Sequence, residues 1–178
     1  MTEKMKQKID AKIFKIANFP IKDMLFYDIT PLINDAELFS KIIDQMKRFA
    51  KQLDVDAIIA PESRGFIFGS ALAYATKLPF IVVRKPNKLP RKTLRENYSL
   101  EYNDNAALEI HKDAILPNQK LLLVDDLLAT AGTVKAISRL IKRSGGKLAG
   151  YSFLIELESL KGRKLLNNKL PLNVIIKY

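Results

Sequence analysis

The sequence predicts an α/β fold with a mostly parallel central sheet flanked by helices, and three observations carry that prediction. Short aliphatic runs recur, as "DAIIA" at 56–60, "PFIVVR" at 79–84, "LLLVDD" at 121–126 and "YSFLIEL" at 151–157. Strands buried on both faces read as such runs rather than as strict alternation. Between them lie stretches whose apolar residues stand three and four apart, the spacing of a helix face. Finally, the run at 121–126 ends in two adjacent carboxylates and passes through the small turn "ATAGT" into "VKAISRLIKR", so acids and hydroxyls sit at a strand's carboxyl end.

The elements follow in order. Met5, Ile9, Ile13 and Ile16 repeat at helical spacing and predict an amphipathic first helix with its lysines in water. "MTEKMKQKIDAKIFKIANFP" has no long apolar core and no arginine, which argues against a secretory signal, a membrane span or a mitochondrial presequence and predicts a cytoplasmic protein. "ND" at 34–35 caps a helix running to Gln52, with Asn34 and Glu37 at capping-box spacing and Phe39, Ile42, Ile43, Met46, Phe49 and Leu53 on its inner face. Strand 56–60 stops at Pro61. "FIFGSALAYAT" then makes a buried helix leading into strand 79–84.

After Arg84 the character changes. "KPNKLPRKTLREN" is basic, proline-containing and aperiodic, and reads as an exposed, mobile loop. Structureless loops beyond roughly 12 residues are uncommon in compact domains and tend to be lids or binding loops. "YSLEY" and "ALEIH" alternate around "NDN" as a hairpin would. A strand at 120–125, a helix from about Thr133 to Arg143, a stop at Gly145 and Gly146, and the strand at 151–157 complete the unit.

With 178 residues and 48% hydrophobic content, the chain suits one domain with a sizeable core. It has no cysteine, which excludes disulfides, thiolate metal sites and cysteine nucleophiles, and its single histidine, His111, cannot build a histidine-rich metal centre. The net charge of +11 invites a nucleic-acid reading. The lysines are scattered along helix faces without interleaved aromatics or a DNA-reading motif, so the expectation is a solvated surface, no nucleic-acid or membrane partner, and compatibility with a small anionic substrate.

The functional argument centres on 121–133. In open α/β sheets, ligands bind beyond the carboxyl ends of strands. There the free amides of a helix N-terminus favour anions, and Ala131 and Gly132 let the backbone close round a phosphate while Thr130 and Thr133 add hydroxyls. Asp125 and Asp126 repel phosphate but can accept from sugar hydroxyls or hold the waters of Mg²⁺. A Walker B reading fails for want of a G-x-x-x-x-G-K-[ST] loop. An isolated "DD" would more often cap a turn; its combination with "ATAGT" argues for a phosphorylated sugar.

All thirteen positions from Leu121 to Thr133 resemble the phosphoribosyl-pyrophosphate loop of the type I phosphoribosyltransferases. "NFPIKDMLFYDITPLIND", "ESRGFIFGSALA", "RKPNKLP", "YSLEY", "LEIHKDAI" and "LIELESLKGRKLL" resemble, in order, segments of the adenine-specific members of that family, from about Phe19 to Arg163. The resemblance implies a purine-salvage transferase in which adenine and 5-phosphoribosyl 1-pyrophosphate give AMP and pyrophosphate with Mg²⁺, in a cytoplasmic homodimer. It also implies one phosphoribosyltransferase domain over 1–178, with residues of about 1–35 forming a first helix and base-binding hood and about 84–105 a flexible loop and hairpin.

The resemblance also implies roles. Asp125, Asp126, Ala129, Thr130, Ala131, Gly132 and Thr133 would bind the ribose 5-phosphate, with the metal held mainly by substrate. Glu62, Ser63, Arg64, Arg84, Lys85 and Lys88 would hold pyrophosphate, Arg64 and Lys88 acting catalytically on the charge of the leaving group. Glu101 would handle a proton on the purine ring, with Tyr98 on the lid; in a regular strand Tyr98 and Glu101 point to opposite faces. Leu25 through its backbone, Phe26 by stacking, Tyr27 and Leu157 would bind adenine.

Several positions depart from the family pattern. Tyr27 stands where arginine is frequent, Ala131 and Asn87 stand where glycine is frequent, and "EYNDNAALEI" carries an extra residue near the hairpin turn. Alanine at a site needing positive φ would be strained. Two alternatives follow: the same chemistry on hypoxanthine, guanine or xanthine, or a non-catalytic phosphoribosyl-pyrophosphate sensor, for which the residues before Phe19 are too few to form a winged-helix domain.

Overall fold

The computed structural model describes residues 2–100 and 103–178. In chain order the elements are α1 (Glu3–Asp10), β1 (Phe14–Ala17), β2 (Leu25–Asp28), α2 (Thr30–Ile33), α3 (Ala36–Gln52), β3 (Ala57–Pro61) and α4 (Arg64–Thr76). Then follow β4 (Phe80–Val83), β5 (Thr93–Leu100), β6 (Asn103–His111), β7 (Lys120–Leu128), α5 (Gly132–Arg143), β8 (Lys147–Glu156) and β9 (Leu172–Lys177). Five strands form a sheet in the order β4-β3-β7-β8-β9, parallel throughout, as the aliphatic runs predict.

The pleat of β7 sorts the core into two layers. Leu122 and Val124 pack with Ile9 of α1, with Ile42 and Met46 of α3 and with Phe68 and Leu72 of α4. Leu121 and Leu123, on the other face, pack with Ile137, Leu140 and Ile141 of α5 and with Leu108 and Ile110 of β6. Alternate residues of one strand therefore feed opposite layers. Helix α3 buries the predicted face through Ile42, Ile43 and Met46, with Phe39, Phe49 and Leu53 partly buried against it.

Sequence expectations fail at the margins. The first helix stops at Asp10; Ile13 is buried from the following turn and Ile16 lies in β1, which pairs antiparallel with β2 as a separate two-stranded hairpin. The cap of α3 is Asp35, whose carboxylate accepts the Leu38 amide at 3.1 Å, while Asn34 ends α2 instead. The aperiodic stretch is shorter than expected, because Thr93–Asn97 already belong to β5 and pair with Ala107–His111. Glu96 holds this strand to α5 through Arg139 at 3.2 Å and Arg143 at 2.9 Å. "NDN" lies within β6 rather than in the turn. Strand β9 was not foreseen, and β8 begins four residues before Tyr151.

Candidate active site

Strand β7 delivers Asp125 and Asp126 to its carboxyl end, where they are only 8% and 5% exposed. Burial, reinforced by the neighbouring Asp126 charge, pushes the Asp125 carboxyl well above the ordinary carboxylate range. Burial also raises Asp126, opposed chiefly by the Arg64 guanidinium. Arg64 Nε lies 3.0 Å from Asp126 Oδ2, yet that oxygen is buried without an aligned hydrogen bond, and Asp125 Oδ1 accepts the Asp126 amide at 2.8 Å. Two buried acids facing one arginine cost stability unless a ligand uses them.

The loop after β7 bends back through Ala131, which sits in the left-handed region at φ 64° and ψ 13° and caps α5. Alanine there costs about 1–2 kcal/mol relative to a right-handed conformation. Asn87 likewise has φ 64°, a conformation asparagine tolerates better. Both departures from glycine thus fall where positive φ is required. The loop is braced from behind by Gly162, where an added Cβ would lie 1.9 Å from the Ala129 carbonyl oxygen. Glu156, 2% exposed, fixes that brace through a two-pronged ion pair with Arg163. Sequence reasoning assigned no role to Gly162, Glu156 or Arg163; the small residue ahead of a basic one in "LKGRK" was the available signal.

Thr130 and Gly132 of the loop line a cleft of about 410 Å³ with Asn97, Tyr98, Lys135, Arg139 and Leu165, so the β5–β6 hairpin stands over the helix N-terminus. Thr133 is half-buried in the first turn of α5. Glu101 lies outside the described residues. The β5–β6 ladder shifts register between Tyr98 and Leu100, and the face taken by Glu101 relative to Tyr98 lies outside the described residues.

Strand β3 supplies the second group. Ser63 precedes α4 and Arg64 begins it, behind a cis Glu62–Ser63 peptide. Gly65 lets the helix start close to the acids, since a Cβ there would lie 2.8 Å from Asp125 Oδ1. Glu62 faces the basic loop: its carboxylate accepts Arg84 Nε at 3.1 Å and Nη2 at 3.0 Å, and also accepts the Lys85 amide. Burial acts to raise this carboxyl, but the Lys85 amide and Arg84 outweigh it and hold it below the usual range. Arg84 also reaches the Lys88 carbonyl at 3.5 Å, and the Asn87 amide donates to Glu109. Glu62 therefore anchors Arg84 and the start of the loop; among the described residues no contact of the Lys88 side chain joins it to the acids.

The segment expected to form the hood carries the β1–β2 hairpin. Its Phe26 and Phe19 meet edge-to-face with centroids 5.1 Å apart, and together with Ile16, Asp28, Ile29, Thr30, Ile33, Arg64 and Ile67 they line a second cleft of about 410 Å³. Arg64 connects this cleft to the acids. Its guanidinium carbon lies 5.0 Å from the Phe26 ring centre and its Nη1 donates to the Tyr27 carbonyl at 3.2 Å. The Tyr27 ring points the other way, stacked on Tyr178 at 4.8 Å, so its phenol does not line the cleft. Leu25 is exposed, and Leu157 packs against the core while its amide donates to Leu128.

The family model described as "Phosphoribosyl transferase domain" matches residues 31–168. The chain is 51% identical over 166 residues to the adenine phosphoribosyltransferase of Mycoplasmoides gallisepticum, covering 93% of each chain. Its fold superposes on a crystal structure of adenine phosphoribosyltransferase from Thermoanaerobacter pseudethanolicus with TM-score 0.92 and 43% identity, covering 97% of this chain and 99% of that one. The Saccharomyces cerevisiae adenine phosphoribosyltransferase, complexed with an imino-altritol bisphosphate and adenine, matches with TM-score 0.91 and 34% identity over 98% of this chain and 100% of that one.

Proposed function

The chain belongs to the phosphoribosyl transferase family, and from that membership we propose that it transfers the 5-phosphoribosyl group of 5-phosphoribosyl 1-pyrophosphate to adenine, giving AMP and pyrophosphate. The observation that carries the reading is Arg64, which joins the buried acids at the end of β7 to the Phe26–Tyr27 wall of the hood. One side chain thereby spans the two places where a sugar diphosphate and a flat base must meet.

The reaction breaks the bond from the anomeric carbon to pyrophosphate and forms one to a purine nitrogen, which gives up its proton. Positive charge grows on the ribose and negative charge on the leaving group. The amides of 129–133, with Thr130 and Thr133, bind the 5-phosphate; Asp125 and Asp126 accept from the ribose hydroxyls. Arg64, Arg84, Lys85 and Lys88, with the Glu62–Ser63 turn, neutralise the pyrophosphate. Phe26 stacks on adenine, the backbone of Leu25 and Tyr27 reads its edge, and Leu157 packs beside it. Glu101 takes the purine proton, and Tyr98 belongs to the lid that excludes water.

Among the described residues no cluster of three or more acids or histidines could hold a metal. Two carboxylates, one oxygen of them without an aligned partner, suit an ion carried in on the substrate's phosphates with its waters on Asp125 and Asp126. Bound there, Mg²⁺ supplies charge neutralisation of the leaving group. We read 1–178 as one domain, with a hood over about 1–35 and a lid over about 84–105, working as a cytoplasmic homodimer. No described helix is long and apolar enough to cross a membrane.

The test is pyrophosphate release with Mg²⁺ and 5-phosphoribosyl 1-pyrophosphate, offering adenine, hypoxanthine, guanine, xanthine and uracil separately. Turnover with adenine alone is expected. Turnover with another purine instead would keep the phosphoribosyl chemistry and reassign the hood.

A further inference from the structure

The hood hairpin has little core of its own: all four residues of β1 are exposed and none in β2 is buried. What fixes its back is Tyr178, which follows β9. The Tyr178 backbone is pinned to the main sheet, its amide donating to the Glu156 carbonyl at 2.9 Å and its carbonyl accepting the Glu158 amide at 2.7 Å. From that fixed point its side chain touches three hood-side elements. Its ring stacks on Tyr27 of β2 with centroids 4.8 Å apart and planes 28° apart, Lys15 Nζ of β1 lies 4.2 Å from its ring centre, and its hydroxyl donates to Asp10 of α1. Lys15 and Tyr27 are themselves partners across the β1–β2 ladder, and Lys15 closes the set with an ion pair to Asp10 at 3.4 Å.

Strand geometry turns this clamp into a statement about the cleft. Successive side chains point to opposite faces, so Tyr27 goes back to Tyr178 while Phe26 goes forward into the cleft beside Arg64. The Tyr27 carbonyl, aimed at Arg64, is fixed by the same stack. A shift of Tyr27 on Tyr178 would move Phe26 and that carbonyl together, and would leave Asp125, Asp126 and the loop at 129–133, which belong to β7 and α5, where they are.

We propose that Tyr178 is a positioning residue for the purine base: it sets the hood's distance from Arg64 and so the affinity for adenine, without taking part in phosphoribosyl binding. The inference rests on the hood being the base site. It is tested by steady-state kinetics on Tyr178→Ala, Tyr178→Phe and Asp10→Asn, with Phe26→Ala as a control and melting temperatures for all.

Tyr178→Ala should raise the KM for adenine about fivefold while the KM for 5-phosphoribosyl 1-pyrophosphate and kcat stay within twofold, the size of effect expected for losing an aromatic stack. Tyr178→Phe, which keeps the stack, should recover most of the loss, and Asp10→Asn should resemble it. If Tyr178→Ala does not fold, Tyr178→Leu, which keeps apolar bulk without a ring face, is read in its place. Equal changes in both KM values, a fall in kcat alone, or no change would overturn the positioning role. Failure of Phe26→Ala to change the adenine KM would instead overturn the assignment of the hood as base site, so the two failures are told apart.

Discussion

The end of β7 and the β1–β2 hairpin, which Arg64 joins, are the two sides of the proposed reaction centre, and they are built in opposite ways. Asp125 and Asp126 lie inside a five-stranded sheet, nearly sealed from water, with α4 beginning against Asp125 and Gly162 braced against the following loop. The hairpin is a two-stranded ribbon, a structure of marginal stability by itself, held by Arg64 in front and Tyr178 behind. On the proposed reading, chemistry common to a sugar diphosphate is set in the core, where every shift is opposed by close packing. Recognition of the base would then be set at the periphery, where one side chain can retune it.

That contrast breaks if changes at the two ends have the same kinetic signature. The largest expected effect is on the sheet side. Asp125→Asn with Asp126→Asn should lower kcat/KM for 5-phosphoribosyl 1-pyrophosphate about a thousandfold, with an unchanged far-ultraviolet dichroism spectrum, because charged hydrogen-bond acceptors and the second shell of the metal go together; near-normal turnover would remove the acids from the site. Next is Gly162→Ala, whose methyl group cannot share space with the Ala129 carbonyl. It should cost about tenfold to a hundredfold in the same constant through a displaced loop, and a crystal structure would show that displacement.

Smaller effects belong to the hood. Phe19→Ala removes the edge-to-face partner of Phe26 and should raise the adenine KM about threefold, leaving the sugar-diphosphate constant alone. The smallest concerns stability. Asp125 is raised by burial and then by Asp126, so the native state holds its proton more tightly than the unfolded chain does. The stability it contributes is full below the unfolded value of about 4 and is lost as pH rises through the higher folded value. At pH 7 the pair is therefore a liability. Asp125→Asn should melt higher than the parent at pH 7, and the gap should close below about pH 4. A gap that widened on acidification would reverse the assignment.

The same contrast governs what the sequence discloses. Strands β3, β7 and β8 are legible because burial on both faces writes an aliphatic run, and α3 and α5 because burial on one face writes a helical period. The hairpin writes neither: Phe14 and Ile16 are exposed, and the spacing of Ile13 and Ile16 extends the helical pattern of Met5 and Ile9 past its true end. Only the first residues of β5, Thr93–Asn97, are hidden in a basic stretch, where the apolar hold on the body comes from Leu94 alone and is reinforced by the Glu96 ion pairs. Asp125, Asp126 and the 129–133 loop are contiguous in sequence and could be read together, whereas the links of Arg64 to Tyr27 and Glu62 to Arg84 join residues 37 and 22 apart and leave no local pattern. Tyr178 is the extreme case, meeting Asp10 across 168 residues.

That last separation bears on how the protein is made. A growing chain emerges amino end first, and contacts between distant positions wait until both have left the ribosome. The acids, their loop and the Gly162 brace are all translated before β9, so the sugar-diphosphate side of the centre can assemble on a shorter nascent chain. The wall that faces the base cannot be locked until Tyr178 arrives. In the newborn molecule, the surface proposed to grip the common donor is therefore ready before the surface proposed to choose the acceptor.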